Sequence, residues 1–191
     1  MDAPVDQERL SRAIAESAET IRALGGQVEA VAAAAALIVD TLRAGNKVLT
    51  AGNGGSAAEA LHLAEELVGR FRSNRRSLPA VALVADTTAL TCISNDFGYD
   101  RVFSRQIEGL GRPGDALVLF STSGNAANLA LALEAARAGG LKTLCLLGRD
   151  GGPLAGKADA QVIVPGRATE RIQEAHQVIL HCLLDAVEEA F

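Results

Sequence analysis

The chain has 191 residues, of which 49% are hydrophobic and 21% charged, with a formal net charge of −5. This size and balance fit one globular domain with a full core, and the acidic total excludes wrapping nucleic acid or an anionic membrane by bulk charge. Aromatic residues are 3% and Trp is absent, so the core must be built from Ala, Leu, Val and Ile.

The N-terminus, MDAPVDQERL, is acidic rather than basic-then-apolar, unlike a targeting sequence. Residues 6–24 show helical periodicity, which Gly25-Gly26 interrupts. An Ala-rich second helix over 27–44 ends at Gly45-Asn46. Its longest apolar run, 31–39, is too short to span a bilayer. From there the pattern changes. KVLTAG (47–52) reads as a buried strand, followed by a glycine turn and a helix over about 56–70. PAVALVAD (79–86) is a second strand, and a helical region with a loop follows it to residue 111. DALVLFSTSGN (115–125) is a third strand running into a polar turn, then a helix to the glycines at 139–140. KTLCLLG (142–148) and AQVIVPG (160–166) are the fourth and fifth strands, and a last helix spans about 169–190. Continuous apolar strands alternating with helices predict a parallel sheet covered on both faces, an α/β three-layer sandwich with two leading helices. The whole chain, 1–191, is expected to form one domain, with 1–45 as the leading helices and 46–191 as the core. Cys92, Cys145 and Cys182 are far apart and form no CxxC, so a reduced cytoplasm is the expected location.

Both polar turns fall at strand ends, where ligands of such folds bind. Gly52-Asn53-Gly54-Gly55-Ser56-Ala57 formally fits the dinucleotide fingerprint G-x-G-x-x-G/A. The acid required about 20 residues on is absent, and GRFRSNRRS (69–77) is basic instead. What survives is a glycine loop entering a helix, which either presents N–H groups to an anion or merely needs glycine backbone angles. The second turn favours the anion. Ser121-Thr122-Ser123-Gly124-Asn125 packs four capping-type residues into five positions, where one cap needs only one.

His62 and Glu66 are spaced i,i+4 and share a helix face, close enough to hydrogen-bond or hold one ion. The same spacing also suits a plain polar face. Glu65 points about 100° away and reads as a surface or interface residue. His176 and His181 are five apart and do not share a face; His176 reads as a buried or plainly exposed histidine. No G-x-S-x-G elbow surrounds Ser56 or Ser123.

GNGGS, HLAEELVGRF, SNDFG, STSGN, RDGGPLAG and RIQEAH, in this order from about residue 45 onward, resemble the phosphoheptose isomerases of the sugar isomerase (SIS) domain group. The resemblance implies the SIS fold and an aldose–ketose isomerase acting between sedoheptulose 7-phosphate and D-glycero-D-manno-heptose 7-phosphate. That reaction opens the route to activated heptoses for surface polysaccharide. It also implies a homotetramer with active sites between subunits, a small-molecule sugar phosphate as partner, and one bound zinc per subunit. The matching positions imply Asn53, Gly54, Gly55 and Ser56 as the first substrate loop, Asn95 and Asp96 as a sugar-binding pair, and Ser121, Thr122 and Ser123 as the phosphate loop. His62, Glu66, Gln173 and His181 match the metal and catalytic positions. Ala126 departs from the pattern, since many relatives carry serine there.

A ketose–aldose conversion moves a proton between C1 and C2 through an enediol. Glu66 is expected as the base, His181 as the acid, and zinc as a polarising ion. Gln173 and His181 are eight residues apart, about 12 Å along a straight helix, which hints at a site shared between subunits. Two other readings stand beside this one: a non-catalytic SIS regulator binding a replication initiator, and an isomerase of another sugar phosphate. The glutamate and histidine at 66 and 181 speak for the enzyme.

Overall fold

The computed structural model describes residues 5–191; the first four residues of the acidic N-terminal segment lie outside it. Helices α1 (Gln7–Ala23) and α2 (Val28–Arg43) lead into β1 (Val48–Gly52) and α3 (Gly55–Val68). Then come β2 (Ala80–Ala82), α4 (Thr87–Phe97), α5 (Ser104–Leu110), β3 (Ala116–Ser121) and α6 (Ala127–Ala138). Strands β4 (Lys142–Gly148) and β5 (Ala160–Val164) and helix α7 (Thr169–Ala190) complete the chain.

The five strands are all parallel in the order β2-β1-β3-β4-β5. Side chains alternate across the sheet with the two-residue period of a strand. Val48, Val118, Phe120, Leu146 and Val164 pack under α2, α3 and α7. Leu49, Leu117, Leu119, Cys145 and Leu147 pack on the other face with α5 and α6. The result is the three-layer sandwich expected from the apolar runs. Strand order reverses between β1 and β3, which opens a crevice at their carboxyl ends.

Three features differ from the expectations. Gly25-Gly26 does not break the leading helices apart; Leu24–Gln27 winds as a 3₁₀ turn and Leu24 is buried at the joint. The helical run Gln7–Arg43 therefore spans 37 residues, and its most apolar window has a mean hydropathy of 1.4, enough to cross a membrane by length and composition. Here its apolar face has another partner, since Ala34, Ile38, Val39 and Leu42 join the core shared with α7. The second strand is short. It pairs only over Ala80–Ala82, because Asp86 caps α4 by accepting the Ala89 N–H at 2.9 Å and the chain must turn before it.

Below the sheet, the carboxylate of Asp115 ties the start of β3 to β1. It accepts the backbone N–H of Lys47 at 3.0 Å and that of Arg112 at 2.8 Å, and it pairs with the Lys47 ammonium. Burial pushes this carboxyl up, but the Lys47 and Arg112 donors outweigh it and hold the group below its ordinary 3.8. A depressed carboxyl stabilises the fold above its unfolded value and loses that contribution as pH falls through the folded one. Stability is therefore expected to drop below about pH 4. Asp115→Asn is expected to cost about 3 kcal/mol at pH 7 by urea denaturation, and to flatten the acid side of the stability curve.

Candidate active site

At the end of β1 a side chain on Gly52 would run into the backbone of Ser56, so strand and helix meet at contact distance. Gly54 has φ +58, a conformation open to glycine, and no side chain caps α3. In that first turn the Ser56 and Ala57 N–H groups donate to the Asn53 and Gly54 carbonyls at 3.1 and 3.0 Å, so the Gly55 N–H is the one left open to a ligand. A side chain on Gly55 would collide with the Gln173 amide, which places the end of that side chain at the start of α3.

The second loop follows β3. Ser121 is buried and its Oγ accepts the Gly124 N–H at 3.0 Å, while Ser123 Oγ accepts the Asn125 N–H at 3.4 Å. Gly124, at φ +63, lies against the backbone of Gly151 and Gly152 with no room for a side chain. The RDGGPLAG stretch thereby backs the hydroxyl loop. The two loops enclose a cavity of about 300 Å³ lined by Asn53, Gly54, Gly55, Ser56, Ser121, Thr122, Ser123, Ala126, Thr169 and Gln173. One chain therefore brings together every loop residue expected from the sequence, and Ala126 faces the same space.

The histidine–glutamate cluster lies farther along the same helix pair. The His62 and His181 rings meet edge to face with centroids 5.3 Å apart, and Phe71 stacks on His181 at 5.7 Å. His62 Nε2 stands 3.4 Å from Glu66 Oε1. His62 Nδ1 stands 3.0 Å from Gln177 Oε1. An amide oxygen only accepts, so Nδ1 carries a hydrogen and Nε2 is the ring nitrogen that faces the carboxylate. A proton or a cation between this nitrogen and the carboxylate would satisfy both, and the donor set fits a metal ion. Glu65, although exposed, also brings a carboxylate oxygen within 4.8 Å of the His62 and Glu66 donors, so its position is not purely that of an outward surface group.

Helices α3 and α7 run side by side in the same direction: Gln173 lies at Gly55, Gln177 at His62, and Glu188 at Arg75. Within one chain His62 thus meets the His181 ring and Glu66, while the donor atoms that lie within 4.8 Å of one another are those of His62, Glu65 and Glu66; Gln173 stays about 12 Å back along α7, beside the loops. Asn95 and Asp96 are exposed at the end of α4 and bond to each other at 2.7 Å, outside the loop cavity. His176 is buried, with Nε2 on the Leu147 carbonyl at 3.1 Å and Nδ1 3.5 Å from Glu59. The sequence reading missed Gln177, whose one available signal is its place one turn after Gln173 on the same face.

A parallel sheet with a glycine loop and a hydroxyl loop at its switch point, followed by a His–Glu cluster, defines a sugar isomerase type of α/β domain. Consistent with this, the SIS domain family matches residues 11–148. The chain is 50% identical over 182 residues to a phosphoheptose isomerase of Geobacter sp. (strain M21), covering 95% of each. Its structure is similar to that of the phosphoheptose isomerase of Neisseria gonorrhoeae, with a TM-score of 0.91, 43% identity, and 96% and 98% of the two chains covered. It is also similar to a phosphoheptose isomerase structure from Francisella tularensis, with a TM-score of 0.86, 34% identity and 95% of both chains covered. The chain belongs to the SIS domain family and, within it, to the phosphoheptose isomerases.

Proposed function

We propose that the protein interconverts sedoheptulose 7-phosphate and D-glycero-D-manno-heptose 7-phosphate, the first step toward activated heptoses. The observation that carries this reading is the 300 Å³ cavity between two loops of neutral donors, on the helix pair that also holds the His62–Glu66–His181 cluster. Ser121, Thr122 and Ser123 hydroxyls and the Gly55 N–H at the start of α3 hold the phosphate and so position the sugar. Glu66 takes the proton from C1 of the ketose, leaving an enediol, exchanges it with solvent, and delivers a proton to C2. His181 donates to the carbonyl oxygen at C2 as the enediol forms, and recovers a proton as the aldose carbonyl develops at C1. No atom is gained or lost overall. His62, Glu66 and His181 would hold one zinc per subunit, with Gln173 of a neighbouring subunit as a fourth donor, and the ion would supply electrophilic polarisation of the sugar oxygens. Asn95 and Asp96 bind the sugar hydroxyls.

The site is shared between subunits of a homotetramer. Two distances support this: Gln173 lies about 12 Å from His181 along α7, and Glu66 lies about 16 Å from Gly55 along α3. Helix α1 supports it as well, with no buried residue of its own and with Leu10 and Ile14 exposed, 71% in the case of Ile14. The full chain acts as one SIS domain in the cytoplasm; its three cysteines are free, and burial pushes the Cys145 thiol up to about 12, leaving it inert.

Incubation with sedoheptulose 7-phosphate in D₂O, followed by NMR, tests the reading. Aldose signals with deuterium at C2 are the expected result, and a chelator is expected to lower the rate at least tenfold. Substrate that binds without forming aldose would refute isomerisation.

A further inference from the structure

Both functional ends of the Asn53 side chain are engaged within the protein. Asn53 Nδ2 donates to Asn128 Oδ1 at 2.9 Å, and Asn128 Nδ2 donates back to Asn53 Oδ1 at 2.9 Å. The Tyr99 hydroxyl donates to the same Asn53 oxygen at 3.0 Å. An amide oxygen has two lone pairs, and here both are used. Asn128 is 2% exposed, on the first turn of α6 just behind the hydroxyl loop. Buried at that depth, its amide has no water to turn to, and an unpaired amide there would be costly. Its neighbours on the buried face of α6 are Leu129, Ala132 and Leu133, so packing alone does not require an amide there. Tyr99 follows Gly98, whose φ of +86 ends α4 and turns the chain back toward the glycine loop.

We propose that Asn128 and Tyr99 are positioning residues that act through Asn53. Together they turn the Asn53 side chain away from the ligand, so that loop 53–55 offers main-chain N–H groups. They also hold three segments in one register: the glycine loop, the hydroxyl loop ahead of α6, and the α4 segment that carries Asn95 and Asp96. The inference rests on the sugar-phosphate reading of the cavity, deepens it, and assigns Asn53 a framing role in place of a side-chain contact.

The test compares Asn128→Ala and Tyr99→Phe in the native background and again with Asn53→Ala already present. In the native background, Asn128→Ala is expected to raise KM about tenfold and Tyr99→Phe about threefold, with kcat changed less, as suits lost hydrogen bonds that orient a binding loop. In the Asn53→Ala background both effects are expected to shrink to within about twofold, because the shared partner is gone. Equal effects in both backgrounds overturn the proposal, and so does a lowered Tm with KM unchanged. A readout independent of turnover separates this failure from failure of the isomerase reading. Inorganic phosphate is titrated while the backbone amide signals of Gly54 and Gly55 are followed by NMR. The expected result is phosphate affinity about tenfold weaker in Asn128→Ala, even in a protein that isomerises no heptose. Unchanged affinity overturns the proposal whatever the substrate.

Discussion

Glu66→Gln is expected to lower kcat about a thousandfold, within the range that a positioned acid–base group contributes. The substitution keeps the shape of the side chain that faces His62 Nε2 but removes its charge, and with it the ability to take a proton and part of its hold on a cation. KM should change little, because the loops proposed to hold the phosphate lie elsewhere in the fold. Deuterium incorporation at C1 of the ketose is the sharper measurement, since it reports proton removal even when product does not accumulate. Exchange that persists at the native rate in Glu66→Gln would move the base to another residue, with Glu65 the first to examine because its carboxylate reaches the same cluster. Loss of exchange with retained binding of the substrate would place the base at Glu66.

Gly124→Ala is expected to be the most damaging single change to ligand binding. The residue has φ +63, where a side chain strains the backbone by about 1–2 kcal/mol. The added carbon would also meet the Gly151 carbonyl, which is main chain and cannot rotate away. One of the two loops must then shift. That would break the Ser121 Oγ bond to the Gly124 N–H, which shapes the hydroxyl loop. We expect KM to rise about a hundredfold, which corresponds to about 2.7 kcal/mol of binding. Inorganic phosphate should weaken as an inhibitor in parallel. Isothermal titration with phosphate checks the binding, and circular dichroism checks that the sheet survives. Native phosphate affinity in this variant would remove the loop from the ligand site.

Much of the fold is legible in the sequence because its signals are local. Apolar runs such as DALVLF and KTLCLLG are buried on both faces, and no other arrangement hides them as well. The expected loop residues from Asn53 to Ser56 and from Ser121 to Ser123 meet in one cavity, since the strand order brings β1 beside β3. What escaped the sequence reading depends on contacts between distant segments. The short second strand ends because Asp86 competes for the chain as a helix cap, and VALVAD alone shows no such competition. Gln177 and Asn128 look like ordinary helix residues until His62 and Asn53 stand opposite them. The spacing of Gln173 and His181 was readable as a distance along a helix. Which groups fill the space between them was not, since that depends on α3 lying alongside.

The backbone contact between Gly124 and the Gly151-Gly152 turn bears on how such a protein can change its diet. The anion end of the cavity is built from main chain pressed against main chain, so side-chain variation there has nowhere to go. The end of α4 is the opposite case: Asn95, Asp96, Phe97 and Tyr99 are all exposed. Evolution toward a shorter or differently hydroxylated sugar would work on that rim while leaving the phosphate grip intact. Selection for altered sugar preference in the laboratory should therefore recover substitutions on residues 95–99 far more often than on 121–125 or 151–152.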